Sequence, residues 1–398
     1  MGKILDSSEE FQKIRKYIIE HRSSLTWEIF DLYQESLPSD SVEFFEKCLL
    51  MFSKGWLPQQ PILLSDLKIS STENVVNQNE TFKNASKFLP SLEDGPSSYT
   101  KVVGQLDNGK YRPAIFEDLP IYSLAKVDNT DFNFAKSTYF EALDCGETLA
   151  YEAARRKVLK ESSGGWDDLV IRASIKDPFD LSERTVGVGI STLTIRKKPT
   201  GTASFFMHHR NEQKVASALG VYHVIPAGEF QPSGSGEQNF VRDMNFEFNI
   251  LREYYEEMLG KTILEDELGH SSGYNNIPFF KEVLESEAVK FYYLGTALDP
   301  LNLKAEILTV AVWDSTAFDH FFKQALEVSS ENAEGTVVVG VNNQGILFDY
   351  WNVFDYVSHK TLPAGRGCLG LAWKHRKLLG IKDDSSEPNG DPRRTERL

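Results

Sequence analysis

The segment Phe248–Leu264, FNILREYYEEMLGKTIL, contains three glutamates within five positions. A helix through this segment places its apolar side chains over one wide arc, and Glu253, Glu256 and Glu257 together in a separate arc roughly 100° wide. Like charges at this spacing repel one another by a few tenths of a kcal/mol per pair. The pattern has two interpretations: a solvated acidic face with Arg252 bridging to Glu256, or a site for a hard divalent cation.

A short apolar run, Tyr222-His-Val-Ile-Pro-Ala-Gly228, precedes this helix and predicts a strand that ends in a turn. The strand, the turn and the acidic helix together resemble the signature of the Nudix hydrolase superfamily. The second half of that signature is R-E-U-x-E-E-x-G-U, where U is aliphatic. Four residues match it one for one: Arg252, Glu253, Glu256 and Glu257. The turn before Gly228 is similar to the turn that opens the signature.

The segment departs from the family pattern in three ways. An insertion between the turn and the helix leaves Met244 where strict spacing would place the first-half glutamate, and Gln238 where it would place a glycine. The closing glycine is displaced by one position, to Gly260, and Tyr254 takes the aliphatic position. The block also resembles divergent bacterial Nudix-like proteins, some of them labelled as regulators. Hydrolysis and ligand sensing therefore both stay open as hypotheses.

The resemblance implies an α+β fold, a Nudix-type α/β/α sandwich with a mixed β-sheet, over residues 186–382. The patterns before it predict an N-terminal helical segment over 1–56, an irregular connection over 57–109 and a mixed α/β accessory region over 110–185. The polar, proline-interrupted residues 383–398 predict a disordered tail.

Several local patterns make more specific predictions. The third N-terminal helix is predicted over DSVEFFEKCLLMFSKGW, residues 40–56, from its amphipathic spacing. Short runs rich in β-branched and aromatic residues predict strands. Among them are VIRASIK (170–176), VGISTLTIR (188–196), LKAEILTVAVW (303–313) and ILFDYW (346–351).

The family's reaction is the hydrolysis of a nucleoside diphosphate linked to another group, with Mg²⁺ or Mn²⁺ as cofactor. The resemblance implies that Glu256 and Glu257 bind metal directly, and that Glu253 binds metal or orients the water. Arg252 would orient the carboxylates by ion pairing, and Gly228 would let the turn pack against the start of the helix. Catalysis would then consist of positioning, metal charge and activation of one water, because the P–O–P linkage already carries good leaving groups.

The family's general base is often an acidic residue outside the signature. Three candidates follow the turn or the helix: Glu229, Glu237 and the cluster Glu265-Asp266-Glu267. The strand that ends in FFMHHR lies close to where the family binds substrate, so three of its residues are candidates for phosphate contacts: His208, His209 and Arg210. Polar residues at the point where a strand leaves the core explain each of them equally well.

The composition narrows the classes of partner. The 398 residues carry a formal net charge of −15, which argues against a surface for duplex nucleic acid. No window approaches the roughly 18 apolar residues of a membrane span, and the polar start of the chain does not suggest a signal peptide. Three cysteines without metal-like spacing fit a reducing, cytoplasmic location. The expected partner is a nucleotide or nucleotide derivative, and the oligomeric state stays open, with a homo-oligomer included.

Overall fold

The structure is a computed structural model. It describes residues 7–37, 42–45, 48–73, 85–92, 97–107, 116–160, 165–210, 221–263, 268, 273–328, 335–359 and 361–382. The predicted disordered tail over 383–398 lies outside these ranges, as does the cluster Glu265-Asp266-Glu267.

Helices and strands alternate along the described chain. The helices are α1 (Ser7–Ser36), α2 (Tyr99–Leu106), α3 (Tyr139–Leu159), α4 (Val170–Ala173), α5 (Glu237–Arg242), α6 (Phe246–Glu253), α7 (Pro278–Glu285), α8 (Ser315–Val328), α9 (Tyr350–His359) and α10 (Pro363–Lys374). The strands are β1 (Val42–Phe45), β2 (Leu50–Ser53), β3 (Ile62–Leu63), β4 (Lys68–Ser71), β5 (Pro120–Asp128), β6 (Asp131–Thr138), β7 (Val188–Lys197), β8 (Ala203–Phe205), β9 (Met207–Arg210), β10 (Tyr222–Val224), β11 (Ala227–Glu229), β12 (Val289–Leu298), β13 (Ala305–Asp314), β14 (Gly335–Val338) and β15 (Ile346–Leu347).

A nine-stranded mixed sheet forms the centre of the described structure. Its order is β1-β2-β12-β13-β7-β8-β15, and in addition β11 pairs with β7 and β3 pairs with β12. β13 and β7 run parallel over ten residue pairs, whereas β12 is antiparallel to β13, and β11 is antiparallel to β7. Nearly every residue of β7 and β13 is buried, as expected for strands covered on both faces. The predicted α+β class with a mixed sheet is therefore confirmed.

Helices cover both faces of this sheet. Neighbouring residues of a strand point to opposite faces, and Ile307 and Leu308 of β13 belong to separate hydrophobic clusters. The cluster of Ile307 also contains Tyr254, which directly follows α6. On the side of Leu308, α10 approaches closely because residue 367 is glycine: a Cβ atom on Gly367 would stand 2.8 Å from Leu308 Cδ1.

The N-terminal helices share their core with the central sheet. α1 contains a change of direction at His21, where φ is −125°, and continues to Ser36. It packs against α3, where the ring of Phe11 lies 5.4 Å from that of Tyr151. One hydrophobic cluster includes Phe11 together with Ile307 of β13. The sequence patterns over residues 9–22 and 26–36 predict two helices, and the kink at His21 divides α1 into two helical parts in the same way.

The prediction of a helix over residues 40–56 is wrong. β1 and β2 form an antiparallel pair there, and β2 also bridges to β12 through Met51 and Leu298. Leu50, Met51 and Phe52 are consecutive and all buried, which a strand between two layers permits and an amphipathic helix does not. Pairing with a distant strand decides the structure at this position.

Other local predictions are also wrong. Residues 170–173 form a short helix, α4, because the carboxylate of Glu152 accepts the N–H groups of Ile171 and Arg172 at its start. The strand predicted over 346–351 ends at Leu347, and Asp349 caps α9 by accepting from Asn352 N at 2.8 Å. The connection predicted as irregular contains β3, β4 and α2, and β6 was not predicted.

Candidate functional site

Gly228 and Glu253 lie in direct contact. Gly228 is the middle residue of β11 and pairs with Ile190 of β7, whereas Glu253 is the last residue of α6. A Cβ atom on Gly228 would stand 2.1 Å from Glu253 Oε1. The acidic helix therefore reaches the strand because residue 228 has no side chain. The sequence expectation that the turn packs against the start of the helix differs in detail, since the contact is with the helix's last residue.

A change of helix type separates Glu253 from the other two glutamates. Asn245 caps the start of α6, and its side chain accepts a hydrogen bond from Phe248 N at 3.1 Å. Residues Tyr254–Met258 then form one turn of π-helix. The prediction of a uniform α-helix is wrong from Tyr254 onward.

The hydroxyl of Tyr254 fixes this π-helical turn on the central sheet. It lies 2.6 Å from Thr194 Oγ1 of β7 and accepts a hydrogen bond from Trp313 Nε1 of β13 at 3.0 Å. The residue is fully buried, so both bonds are shielded from water. Tyr254 therefore ties the acidic segment to two strands of the central sheet through its hydroxyl.

The three glutamates of the acidic helix have different surroundings. Glu257 Oε2 accepts a hydrogen bond from Ala227 N at 3.2 Å, beside the contact of Glu253 with Gly228. Glu253 and Glu256 line a cavity. Glu253 and Glu257 are half-buried, and Glu256 is exposed. Across the described ranges, no group of three or more His, Cys, Asp or Glu side chains is arranged to hold a metal ion.

Arg252 joins the acidic helix to the loop after β11. It is buried, and its Nη2 donates to Gln231 O at 2.5 Å and to Asn249 Oδ1 at 2.8 Å. These contacts are with neutral oxygens, and the expected ion pair with the glutamates is not among those that the described residues make. Arg252 would therefore hold the position of the helix and act on the carboxylates only indirectly.

A cavity of about 1100 Å³ lies between the N-terminal helices and the central sheet. Parts of α1, α3, β7, β11 and the first turn of α10 line it. Its charged residues include the acidic-helix pair Glu253 and Glu256, a group around Lys304 with Glu229 and Glu306, and a group around Arg22 with Glu147 and Asp299.

Lys304 joins two glutamates that flank Gly189 of β7. Glu229 pairs with Gly189 from β11, and Glu306 pairs with it from β13. Lys304 Nζ lies 2.7 Å from Glu229 Oε2 and 3.9 Å from Glu306 Oε1. A Cβ atom on Gly189 would stand 2.6 Å from Glu306 Oε2, so the glycine leaves the space that this carboxylate fills. Ser191 Oγ donates to the same oxygen at 3.4 Å.

The carboxyl group of Glu306 titrates close to neutral pH. Burial raises its pKa to about 7; the charges of Glu229 and Asp299 act in the same direction, and Lys304 acts against them. Burial would lower the pKa of Lys304, but Glu229 and Glu306 raise it above its ordinary value. The cavity thus contains a carboxyl group poised to gain or lose a proton, beside an ammonium group that stays charged.

Arg22 of the N-terminal helix α1 lines the same cavity. Its Nη2 lies 3.0 Å from Glu147 Oε1 of α3, and Asn302 Nδ2 donates to that oxygen at 3.3 Å. Burial opposes ionisation of Glu147, but Arg22 holds the pKa of this carboxyl below its ordinary value. The helices α1 and α3 therefore supply part of the cavity wall and its charge.

The residues predicted to contact phosphate from β9 lie in a second sheet. His208 pairs with His223 of β10 and is buried. The ring of His209 lies 4.8 Å from that of Tyr222. The described lining of the cavity includes neither His208 nor His209. The side chain of Arg210 lies outside the described part of the chain.

The candidate bases differ in position. Glu229 lines the cavity. Glu237 is exposed and pairs with Lys136, and the cluster Glu265-Asp266-Glu267 falls outside the described residues. Sequence reasoning missed Glu306 and Lys304. Their signal is two charged residues at the start of the buried strand LKAEILTVAVW, where a charge needs a partner.

Comparison with known proteins finds no match for this chain, either among protein-family models or among curated proteins. None of the helices in the described ranges combines the length and the apolar composition needed to cross a membrane.

Proposed function

We propose that this chain hydrolyses the pyrophosphate linkage of a nucleoside-diphosphate-linked compound, with Mg²⁺ or Mn²⁺, in a Nudix-type domain over residues 186–382. One observation carries the proposal: Gly228 and Glu253, which resemble parts of the Nudix signature in sequence, lie against each other in space. A mixed sheet covered by helices on both faces supports the Nudix-type sandwich.

The donors on the acidic helix suit a hard divalent cation. Glu253, Glu256 and Glu257 offer carboxylate oxygens, which Mg²⁺ and Mn²⁺ prefer. Glu253 and Glu257 already contact neighbouring residues of β11. The three side chains are not arranged as a metal site in the described structure, so they would have to draw together around the metal, with Glu256 reaching it from the cavity side. When bound, the metal supplies positive charge to the phosphate oxygens and activates water.

Glu306 is the group that would take the proton from the attacking water. It lines the same cavity as Glu253 and Glu256, and its pKa of about 7 keeps part of the population ionised at neutral pH. A general base works best when its pKa lies near the operating pH. Glu229 is held by Lys304 at 2.7 Å, so it would position the lysine while Glu306 accepts the proton.

A panel of substrates tests this proposal. The purified protein is incubated with Mg²⁺ or Mn²⁺ and ADP-ribose, NAD, nucleoside-diphosphate sugars, dinucleoside polyphosphates or nucleoside triphosphates. We expect turnover of at least one compound and its loss in Glu256→Gln and Glu257→Gln. Glu285→Gln, on the exposed face of α7, is the matched control and should keep full activity. Absence of product from every compound with either metal would contradict hydrolysis.

A second function, ligand sensing, has its own supporting observation. The N-terminal helix α1 lines the cavity through Arg22 and Thr26, so an occupant would contact the N-terminal helical segment directly. Under this hypothesis one compound of the panel binds tightly without product, and Glu256→Gln leaves that binding unchanged. Calorimetry on the same panel separates the two functions.

A further inference from the structure

The start of α10 forms part of the cavity wall. Pro363 is its first residue, and Leu362 before it provides no side-chain cap. The helix's own hydrogen-bond ladder begins with Arg366 N donating to Leu362 O at 3.0 Å. The N–H groups of Ala364 and Gly365 precede that ladder and point out of the helix start. The helix dipole adds positive potential at the same place.

The side chain of Thr361 lies over this first turn. A Cβ atom on Gly365 would stand 2.7 Å from Thr361 Cγ2 and 2.9 Å from His223 Nδ1, so the turn is closely surrounded. Thr361 is 2% exposed, and its Oγ1 has no hydrogen-bond partner within the described ranges. A buried hydroxyl that lacks a partner is costly. Since Thr361 lines the cavity, an occupant of the cavity is the natural acceptor.

Arg366 adds a charged donor beside this hydroxyl. Its Nε donates to Thr361 O at 2.5 Å, which fixes the guanidinium against residue 361. Burial lowers the pKa of Arg366, but a guanidinium keeps its charge at any pH that a folded protein tolerates. It also lines the cavity. Three kinds of donor, from the main chain, a hydroxyl and a guanidinium, therefore meet at one place.

We propose that the first turn of α10, together with Thr361 and Arg366, binds a phosphate group inside the cavity. A tetrahedral phosphate has enough oxygens to accept from the helix start, the hydroxyl and the guanidinium at once. The cations Arg22 and Lys304 elsewhere in the wall are already paired with Glu147 and Glu229, so we place the phosphate at the donors of the α10 start. The assignment of that phosphate to the substrate rests on the proposed hydrolysis, whereas phosphate binding itself does not.

Calorimetry without divalent metal tests this inference. Inorganic phosphate and pyrophosphate are titrated into the full-length chain in buffer that contains EDTA. We expect both to bind, Arg366→Gln to weaken binding about tenfold or more, and Thr361→Val to weaken it about threefold to tenfold. Arg366→Lys keeps the charge without the planar fork and should fall between native protein and Arg366→Gln. Lys374→Gln, on an exposed site of the same helix, removes one positive charge and should change affinity less than twofold.

Far-UV circular dichroism and thermal unfolding confirm that each variant is folded. If Arg366→Gln does not fold, Thr361→Val and Arg366→Lys carry the test. Absence of binding at tens of millimolar ligand, or equal affinity in Thr361→Val, Arg366→Lys and native protein, would overturn the inference. In EDTA no metal takes part in binding, so Glu256→Gln should bind phosphate as native protein does. In the substrate assay with metal, the same variant should lose turnover. The phosphate site and the hydrolytic function can therefore fail separately.

Discussion

At the scale of single residues, the site depends on how closely carboxylates approach backbone that carries no side chain. Gly228 lies under Glu253, and Gly189 lies under Glu306. The first pair could be predicted, because both residues belong to a pattern that resembles a known signature. The second pair could not, because it joins two strands more than 100 residues apart, and neither residue is in a motif.

Gly228→Ala should displace the carboxylate of Glu253. The added Cβ would stand 2.1 Å from Glu253 Oε1, which is the far end of a flexible side chain. The carboxylate can therefore turn aside, and we expect loss of hydrolysis with little change in the free energy of unfolding. Gly104→Ala is the matched control, because a Cβ there meets nothing within 4 Å and alanine favours a helix by about 1 kcal/mol. Urea unfolding measures both. The substrate assay measures hydrolysis, and turnover by Gly228→Ala at the native rate would show that the Glu253 carboxylate need not lie over residue 228.

Glu306 should make stability depend on pH. Its pKa rises from 4.5 to about 7 on folding, so the folded state holds the proton more tightly. The stabilisation is fully present below about pH 4.5 and is lost as the pH rises through 7. Glu306→Gln cannot titrate, so relative to native protein it should gain up to roughly 3 kcal/mol between pH 4 and pH 8. Urea unfolding at both pH values measures the gain, and exposed Glu285→Gln should show none.

At the scale of elements, the predictions of helices and strands are correct where the periodicity of the segment itself decides its structure. β7 and β13 match their predictions because short runs rich in β-branched and aromatic residues are local signals. The prediction of a helix over 40–56 is wrong because β2 pairs with β12, which lies far away in the sequence. The prediction of a uniform α-helix is wrong from Tyr254 onward for the same reason, since the hydroxyl of Tyr254 bonds to two distant strands.

Tyr254→Phe tests whether that hydroxyl fixes the turn. The change removes both hydrogen bonds and leaves Thr194 and Trp313 without this buried partner, which should cost about 1–3 kcal/mol of unfolding free energy. Thr194→Val removes the hydroxyl that forms one of these hydrogen bonds with Tyr254. If the contact exists, the double variant should be less destabilised than the sum of the two single variants. Strictly additive effects in urea unfolding would argue against it.

At the scale of the whole molecule, one buried arginine connects the accessory region to the central sheet. Arg172 of α4 is fully buried. It donates to Tyr33 OH of α1 at 3.2 Å, and to the carbonyls of Pro300 and Leu301, just before β13, at 2.6 and 2.5 Å. The sequence predicted a strand at this position, so it gave no indication of this connection.

Arg172→Ala should therefore destabilise the molecule as a unit. It leaves buried acceptors without donors and a large void, and we expect a loss on the order of 3–5 kcal/mol. Tryptophan fluorescence and far-UV circular dichroism should report one coincident urea transition, at a lower midpoint than in native protein. Exposed Lys176→Ala should change the midpoint little. Two separate transitions in the native chain would mean that the accessory region and the sheet unfold independently.

The parallel pairing of β7 with β13 has a consequence for synthesis in the cell. Residues 188–197 leave the ribosome more than 100 residues before residues 305–314, which at about 5–20 residues per second is a delay of several seconds. During that time β7 can pair with β8 and β11, which follow it in the sequence. The edge of β7 that pairs with β13 in the folded protein stays unpaired until β13 is made. Nascent chains of this protein should therefore recruit chaperones over that interval of translation, and release them once β13 emerges.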